Sequence, residues 1–362
     1  MGMSKGMIEQ SRPCLQKDDF NYISDILRTG QVAKGRFVTE LEDNFSQMLK
    51  IRYSHATSSG TAALHLALLA MHIGPGDEVI IPAYTCTALL NAINYVNATA
   101  VMADIDSDTF NITKTTISKR VTEKTKAIIV THTFGFPADL DDILKLGIPI
   151  IEDCAHSLGA LYKGYPIGSK GLISVYSMYA TKMIASGEGG MICTNDMKVS
   201  EFVKDLNNYD GNQYYKVRYN YKMSDLAGGL ALSQFSKLGR FTNRRSCLAL
   251  RYKESLEQRG VRFQAVLKDT SPSYYRFIIR VPEADIFTES LRAEGIICDR
   301  PVRKPLYAYF DNQLSSEFPE TESVWRDAVS MPTYPSLSDE EVSRIINISL
   351  SKLLTQNIEQ EF

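Results

Sequence analysis

Between residues 54 and 210, short apolar runs alternate with stretches of helical spacing, and this rhythm limits the fold more than any other feature. The runs are Glu78–Ile81, Ala100–Ala103, Ala127–Val130, Pro149–Ile151, Ile173–Ser177 and Gly190–Cys193. Gly60–Met71 sets Leu64, Leu68 and Met71 on one helical face, and Thr87–Val96 and Asp139–Leu146 fill similar gaps. Strands that alternate with helices build a mostly parallel sheet covered on both faces, so the expected class is α/β. The last two runs have no helix between them, which departs from a pure βα repeat.

A long helix is expected from Ser224 to about Gln258. Its apolar residues Leu226, Leu230, Leu232, Phe235, Leu238 and Phe241 recur at near-helical spacing. Beyond it, Tyr274–Val281 reads as a strand, Asp285–Glu294 as a helix ended by Gly295, and Ile296–Cys298 as a further strand. Ser338-Asp339-Glu340-Glu341 is a capping box before the apolar stripe Val342, Ile345, Ile346 and Leu350. The chain divides into a large α/β domain over 31–244 and a smaller α+β domain from 1–30 and 245–362.

Composition excludes several functions. The 362 residues carry 40 Lys+Arg against 42 Asp+Glu, a net charge of −2, so there is no basic excess to displace counterions from nucleic acid. No apolar run approaches the roughly 18 residues that span a bilayer. Met1–Gln10 lacks the apolar core of a signal peptide, so a cytoplasmic setting is expected. Cys14, Cys86, Cys154, Cys193, Cys247 and Cys298 form no CxxC pair and read as free thiols. The five histidines share no zinc-like spacing with them, and no metal is expected.

Three segments hold candidate chemistry. Ser58-Ser59-Gly60-Thr61-Ala62-Ala63 opens the Leu64 helix, where free backbone N–H groups and the helix dipole attract an anion; a plain N-cap by Ser59 or Thr61 explains it as well. Ile150-Ile151-Glu152-Asp153-Cys154-Ala155-His156 ends an apolar strand in acids, at the sheet edge where open α/β folds bind ligands. Asp153 suits a cationic ring nitrogen or a solvated strand end, and His156 alone reads as structural. Lys182 sits among apolar and small neighbours before a Gly-rich stretch, a setting for an amine nucleophile, although most lysines are surface charges. Together, an anion site, an acid and an amine are the three handles of pyridoxal 5′-phosphate.

In that order the segments resemble the fold-type-I, aspartate-aminotransferase-like enzymes, and more narrowly the nucleotide-sugar aminotransferases of the DegT/StrS type. The resemblance runs from Gly30-Gln31-Val32-Ala33-Lys34-Gly35 through Gly76–Pro82, His132–Asp139, Tyr219–Leu226 and Met331–Leu337. It implies that Lys182 is the Schiff-base lysine and proton shuttle, and that Asp153 pairs with the pyridinium nitrogen. It implies that His156 flanks the cofactor near its phenolic oxygen, and that Gly60, Thr61, Ala62 and Ser177 bind the phosphate. Asn220 matches an asparagine that reaches the neighbouring subunit's cofactor, which implies a homodimer with a shared active site. Cys86 stands where many relatives carry a ring-stacking aromatic residue. Pro301-Val302-Arg303-Lys304-Pro305 replaces a segment that often holds a histidine; Arg303 and Lys304 suit a substrate anion or plain surface charge.

The activity implied is transfer of an amino group from an amino acid, L-glutamate or L-glutamine, to a keto-sugar, nucleotide-linked, in amino-sugar biosynthesis for a surface polysaccharide or secondary metabolite. Two alternatives stand beside it: a pyridoxal-phosphate-dependent sugar dehydratase, whose relatives replace the lysine by histidine, and a binding protein on the same scaffold that does not catalyse.

Overall fold

The computed structural model describes residues 6–359. Residues 1–5 and 360–362, the ends of the ranges assigned to the smaller domain, lie outside the described residues. Seven strands form the central sheet: β1 (Tyr53–Thr57), β2 (Glu78–Pro82), β3 (Thr99–Ala103), β4 (Thr125–Thr131), β5 (Ile150–Asp153), β6 (Ile173–Ser177) and β7 (Gly190–Thr194). Their order is β1-β7-β6-β5-β4-β2-β3, and β7 alone runs against its neighbours. The missing helix before the last run is explained by this geometry: β6 and β7 pair antiparallel, with Ser177 opposite Gly190, so a loop suffices to join them.

Side-chain alternation along the strands sorts the sheet's two faces. Ile80, Ile128, Val130, Ile150, Tyr176 and Met191 point into one core, under the helices Arg36–Leu49 and Leu140–Leu144. Val79, Ile81, Ile129, Ile151, Val175 and Ile192 point into the other, under Gly60–Ala70, Ala88–Tyr95 and Met197–Leu206. Gly60–Ala70 packs against both a neighbouring helix and the sheet, which is why it is apolar nearly all round.

A second core gathers Leu248, Tyr252, Phe277, Ile279, Phe287, Val342 and Ile345 about a three-stranded antiparallel sheet of Arg262–Phe263, Phe277–Arg280 and Ala328–Met331. The C-terminal helix Asp339–Glu359 starts as expected: Glu341 N–H donates to Ser338 Oγ (3.1 Å), and Ser338 N–H donates to the Glu341 carboxylate (2.8 Å). Of the N-terminal residues grouped with the smaller domain, Ile8 pairs with Ile296 there. The helix Lys17–Thr29, in contrast, packs on Asp225–Phe235, where Ile26 and Leu232 cluster with Phe37 of the helix Arg36–Leu49.

Three expected elements differ. The long helix is two, Asp225–Phe235 and Leu238–Leu256. At the break, Lys237 Nζ is paired with Asp19 (2.6 Å) and Asp18 (2.9 Å), while Ser233 Oγ and Gln234 Nε2 also donate to Asp19. The apolar stripe continues across this polar knot, so its periodicity could not reveal the interruption. The strand at Tyr274–Val281 shortens to Phe277–Arg280, because Tyr274 takes a left-handed φ of 48° and turns the chain toward the large sheet. Ile296–Cys298 forms no strand; the chain makes only isolated bridges, Ile8 with Ile296 and Asp299 with Ser330. Among the described residues, no helix is long and apolar enough to cross a membrane.

Candidate active site

The carboxyl ends of β2, β4, β5 and β6 open into one cavity of about 550 Å³. Gly60, Thr61, Asp153, His156, Ser177 and Lys182 all line it. Residues separated by more than a hundred positions thus meet where parallel strands end, the expected place for a ligand in an open α/β sheet.

The anion end is built by two close approaches. Ser59 is extended and caps the helix, accepting from Ala62 N–H (3.1 Å). Gly60 and Thr61 occupy the first turn, where N–H groups have no intrahelical acceptor, and they face the cavity. A β-carbon on Gly190 would lie 2.3 Å from the Ser59 carbonyl oxygen, so β7 passes this turn only as glycine. Ser59 is an N-cap, and the two residues after it line the cavity. Ala62 does not share that role, because its N–H is taken by Ser59 and it is not among the lining residues.

Asp153 ends β5 with its carboxylate buried, and Oδ1 accepts from Ala155 N–H (3.0 Å). Burial pushes its pKa up, against that hydrogen bond and the Lys182 charge. A carboxylate in this position is stabilised by a cationic partner. Lys182 is carried on the loop between β6 and β7, and its Nζ stands 5.0 Å from the centre of the Tyr275 ring. His156 is stacked between Phe134 (6.0 Å, 18°) and Tyr275 (4.4 Å, 16°). Burial, then the charges of Lys182 and Arg276, hold its pKa well below the ordinary value, so its ring is neutral at pH 7.

The residue before the acid has a separate task. Glu152 is fully buried and accepts from the N–H groups of Gly168 (2.9 Å) and Lys170 (2.8 Å), and from Gly171. His132 Nδ1 accepts from Ala138 N–H (3.1 Å), which leaves the ring proton on Nε2, donated to Glu152 (3.2 Å). His132, Glu152 and Cys154 bring ligand-type atoms within 4.8 Å of one another. Their lone pairs are already occupied by N–H donors on His132 and Glu152, so the group acts as a brace that fixes β5 beneath Asp153.

Asn220 is exposed and is not among the residues lining this cavity. Cys86, where the resemblance implies an aromatic residue, is exposed at the cavity, and buried Tyr84 also lines it. Arg303 and Lys304 both line the cavity. Sequence reasoning passed over Tyr275 and Arg276, which reach the site from the smaller sheet. The signal available was Tyr274-Tyr275-Arg276 set directly before the apolar run Phe277–Ile279.

These residues fit pyridoxal phosphate. A helix start and Ser177 suit its phosphate, a buried carboxylate in need of a cation suits its ring nitrogen, and an amine shares the same cavity.

Comparison with known proteins agrees. The DegT/DnrJ/EryC1/StrS aminotransferase family model matches residues 13–349. GDP-perosamine synthase of Escherichia coli O157:H7 is 33% identical over 91% of this chain and 94% of its own length. The spore coat polysaccharide biosynthesis protein SpsC of Bacillus subtilis is 33% identical, over 93% and 94%. The structure of Spr1654 from Streptococcus pneumoniae in its PLP-form superposes with a TM-score of 0.89 at 28% identity, covering 96% of this chain and 99% of that one. With the acid, the amine and the helix start gathered in one cavity, the chain belongs to the DegT/DnrJ/EryC1/StrS aminotransferase family and is a pyridoxal-phosphate-dependent aminotransferase.

Proposed function

We propose that this enzyme moves an amino group from L-glutamate to the keto group of a nucleotide-linked sugar, in the biosynthesis of an amino sugar for a surface polysaccharide or secondary metabolite. The observation that carries the reading is the meeting of Asp153, Lys182 and the Gly60–Thr61 turn in one cavity. The sugar is suggested by the relatives, one a GDP-perosamine synthase and another a protein of spore coat polysaccharide biosynthesis. Free cysteines throughout fit a cytoplasmic setting.

Pyridoxal phosphate, when bound, supplies an electron sink for the carbon that loses or gains a proton. In this reading Gly60, Thr61 and Ser177 hold the phosphate by N–H and hydroxyl groups. Asp153 keeps the ring nitrogen protonated as its buried counter-charge. Lys182 anchors the cofactor and then, as a free amine, takes the proton from the donor's α-carbon and returns one to the acceptor carbon at Nζ. Neutral His156 offers a ring N–H or lone pair without adding a charge beside Lys182. Arg303 and Lys304 bind an anionic group of the substrate. Asn220, exposed here, completes the site of a second subunit in a homodimer.

Borohydride trapping with peptide mass mapping tests the assignment. The label is expected on Lys182, and Lys182→Ala should lose visible cofactor absorbance and turnover while remaining folded. A label elsewhere, or normal turnover by Lys182→Ala, overturns it. Incubation with L-glutamate should release 2-oxoglutarate and leave pyridoxamine phosphate that keto-sugars then consume; loss of a sugar hydroxyl without 2-oxoglutarate would assign a dehydratase instead.

A further inference from the structure

Among the described residues, Tyr275 is the one aromatic ring in contact with both Lys182 and His156. It is almost fully buried, although it enters the cavity from outside the large sheet. The Lys182 Nζ stands 5.0 Å from its centroid, the distance of a cation–π contact, and the His156 ring lies nearly parallel to it at 4.4 Å. The Arg276 guanidinium stands 5.5 Å from the same centroid. The backbone is fixed as well: the buried Arg245 donates from Nη1 to the Tyr275 carbonyl (3.0 Å) and to that of Thr333. Tyr275 is therefore held by the smaller sheet and by the helix Leu238–Leu256, while Lys182 rides on a loop.

We propose that Tyr275 is a positioning residue for Lys182: its ring face seats the lysine's ammonium whenever that amine is not bonded to cofactor, and Arg245 holds the backbone that carries the ring. The inference rests on the reading of Lys182 as the cofactor lysine. A free lysine side chain has four rotatable bonds and gains a single preferred seat from an aromatic face. That seat returns the amine to the same spot between the two halves of the reaction, so the proton leaves and arrives at one place. The electrostatics agree with the geometry. Burial would push the Tyr275 phenol up, yet the charges of Lys182, Arg276 and Arg245, with a hydrogen bond from Thr181, bring it down to about 8. His156, which faces the ring, is neutral, and the acids lining the cavity are Asp153 and Glu188.

The test uses full-length protein loaded with pyridoxamine phosphate, the form in which the lysine amine is free. Tyrosinate is followed by ultraviolet difference absorbance against pH, with Tyr275→Phe as the blank. A tyrosine titrating at about 8 is expected in the wild type, absent in Tyr275→Phe, and moved to higher pH in Lys182→Gln. A tyrosine out of reach of the Lys182 charge would not respond to Lys182→Gln, and an unchanged midpoint overturns the proposal. Kinetics give the second reading. Tyr275→Phe, which keeps the ring face, should hold kcat within about threefold, whereas Tyr275→Met should lower kcat about tenfold with little change in KM for the amino donor. Wild-type kcat in a folded Tyr275→Met also overturns it; should that variant not fold, the titration decides alone. Borohydride mapping keeps the two readings apart, since a label away from Lys182 defeats the lysine assignment without moving the tyrosinate coupling.

Discussion

A β-carbon built on Gly60 would stand 3.0 Å from the β-carbon of Ser177, so the first turn of the Gly60–Ala70 helix and the end of β6 lie closer than a side chain at residue 60 accommodates without a shift. This contact sets the donors of a helix start and a serine hydroxyl side by side at the rim of one cavity. The resemblance assigned both residues to phosphate, and the distance gives that pairing a physical test.

Gly60→Ala should force the helix start away from Ser177. Overpacking of this kind costs about 1–3 kcal/mol, which corresponds to about 5- to 150-fold in affinity if it falls on the binding geometry. Equilibrium titration of cofactor-free protein with pyridoxal phosphate measures it. Unchanged affinity would remove the helix start from the site.

Asp153→Asn separates two roles by pH. Because burial raises the pKa of Asp153 in the free protein, the folded state prefers its protonated form. Its contribution to stability is then fully present below the ordinary value of 3.8 and is lost as pH rises through the folded pKa. Cofactor-free Asp153→Asn should accordingly be at least as stable as wild type at pH 7, with the advantage vanishing near pH 3. Turnover should fall by about a hundredfold or more, because the ring nitrogen loses its counter-charge. Denaturant melts at the two pH values and steady-state rates report the two effects.

Glu152→Gln places an amide NH₂ among N–H donors in a fully buried position. The wild-type carboxylate is held below its ordinary pKa: burial acts against it, but His132 and the backbone N–H groups of Gly171 and Lys170 prevail. Its stability contribution is therefore present above pH 4.5 and lost as pH falls. Loss of charge-assisted bonds and an unmet donor should destabilise the protein by about 2–3 kcal/mol at pH 7. Urea denaturation at pH 7 tests this, and an effect under about 0.5 kcal/mol would show that the brace is dispensable.

Lys237→Met attacks the break between the two helices. It leaves Asp19, 2% exposed, without its cation, and breaking a buried pair from one side costs about 3–5 kcal/mol. Burial raises Asp19, but the bonds from Lys237, Ser233 and Gln234 outweigh it and its pKa lies below 3.8. The wild-type advantage should thus be greatest above pH 4 and shrink in acid. Thermal melts across pH read it, and an equally stable variant at pH 7 would contradict the structure.

Much of the site was legible because chemistry and order suffice for it. Asp153 and Lys182 are distinctive against apolar and small neighbours, and the strands on either side follow from runs that bury both faces. Ala62 shows where resemblance and local physics part, since its N–H is occupied by Ser59. Tyr275 escaped notice because an aromatic residue beside an apolar strand reads as core, and nothing local says which core it enters.

The sequence by itself determined the α/β class, the sheet's apolar strands and the residue types able to hold pyridoxal phosphate, since period-two and helical spacing are local properties of the chain. Tertiary structure alone decided that helix 225–256 is broken by the Lys237–Asp19 pair, that Ile296–Cys298 is not a strand, and that Tyr275 and Arg276 reach the cavity that holds Lys182. Each of these depends on contacts between residues far apart in the chain, and their energies exist only once burial has removed the water between them.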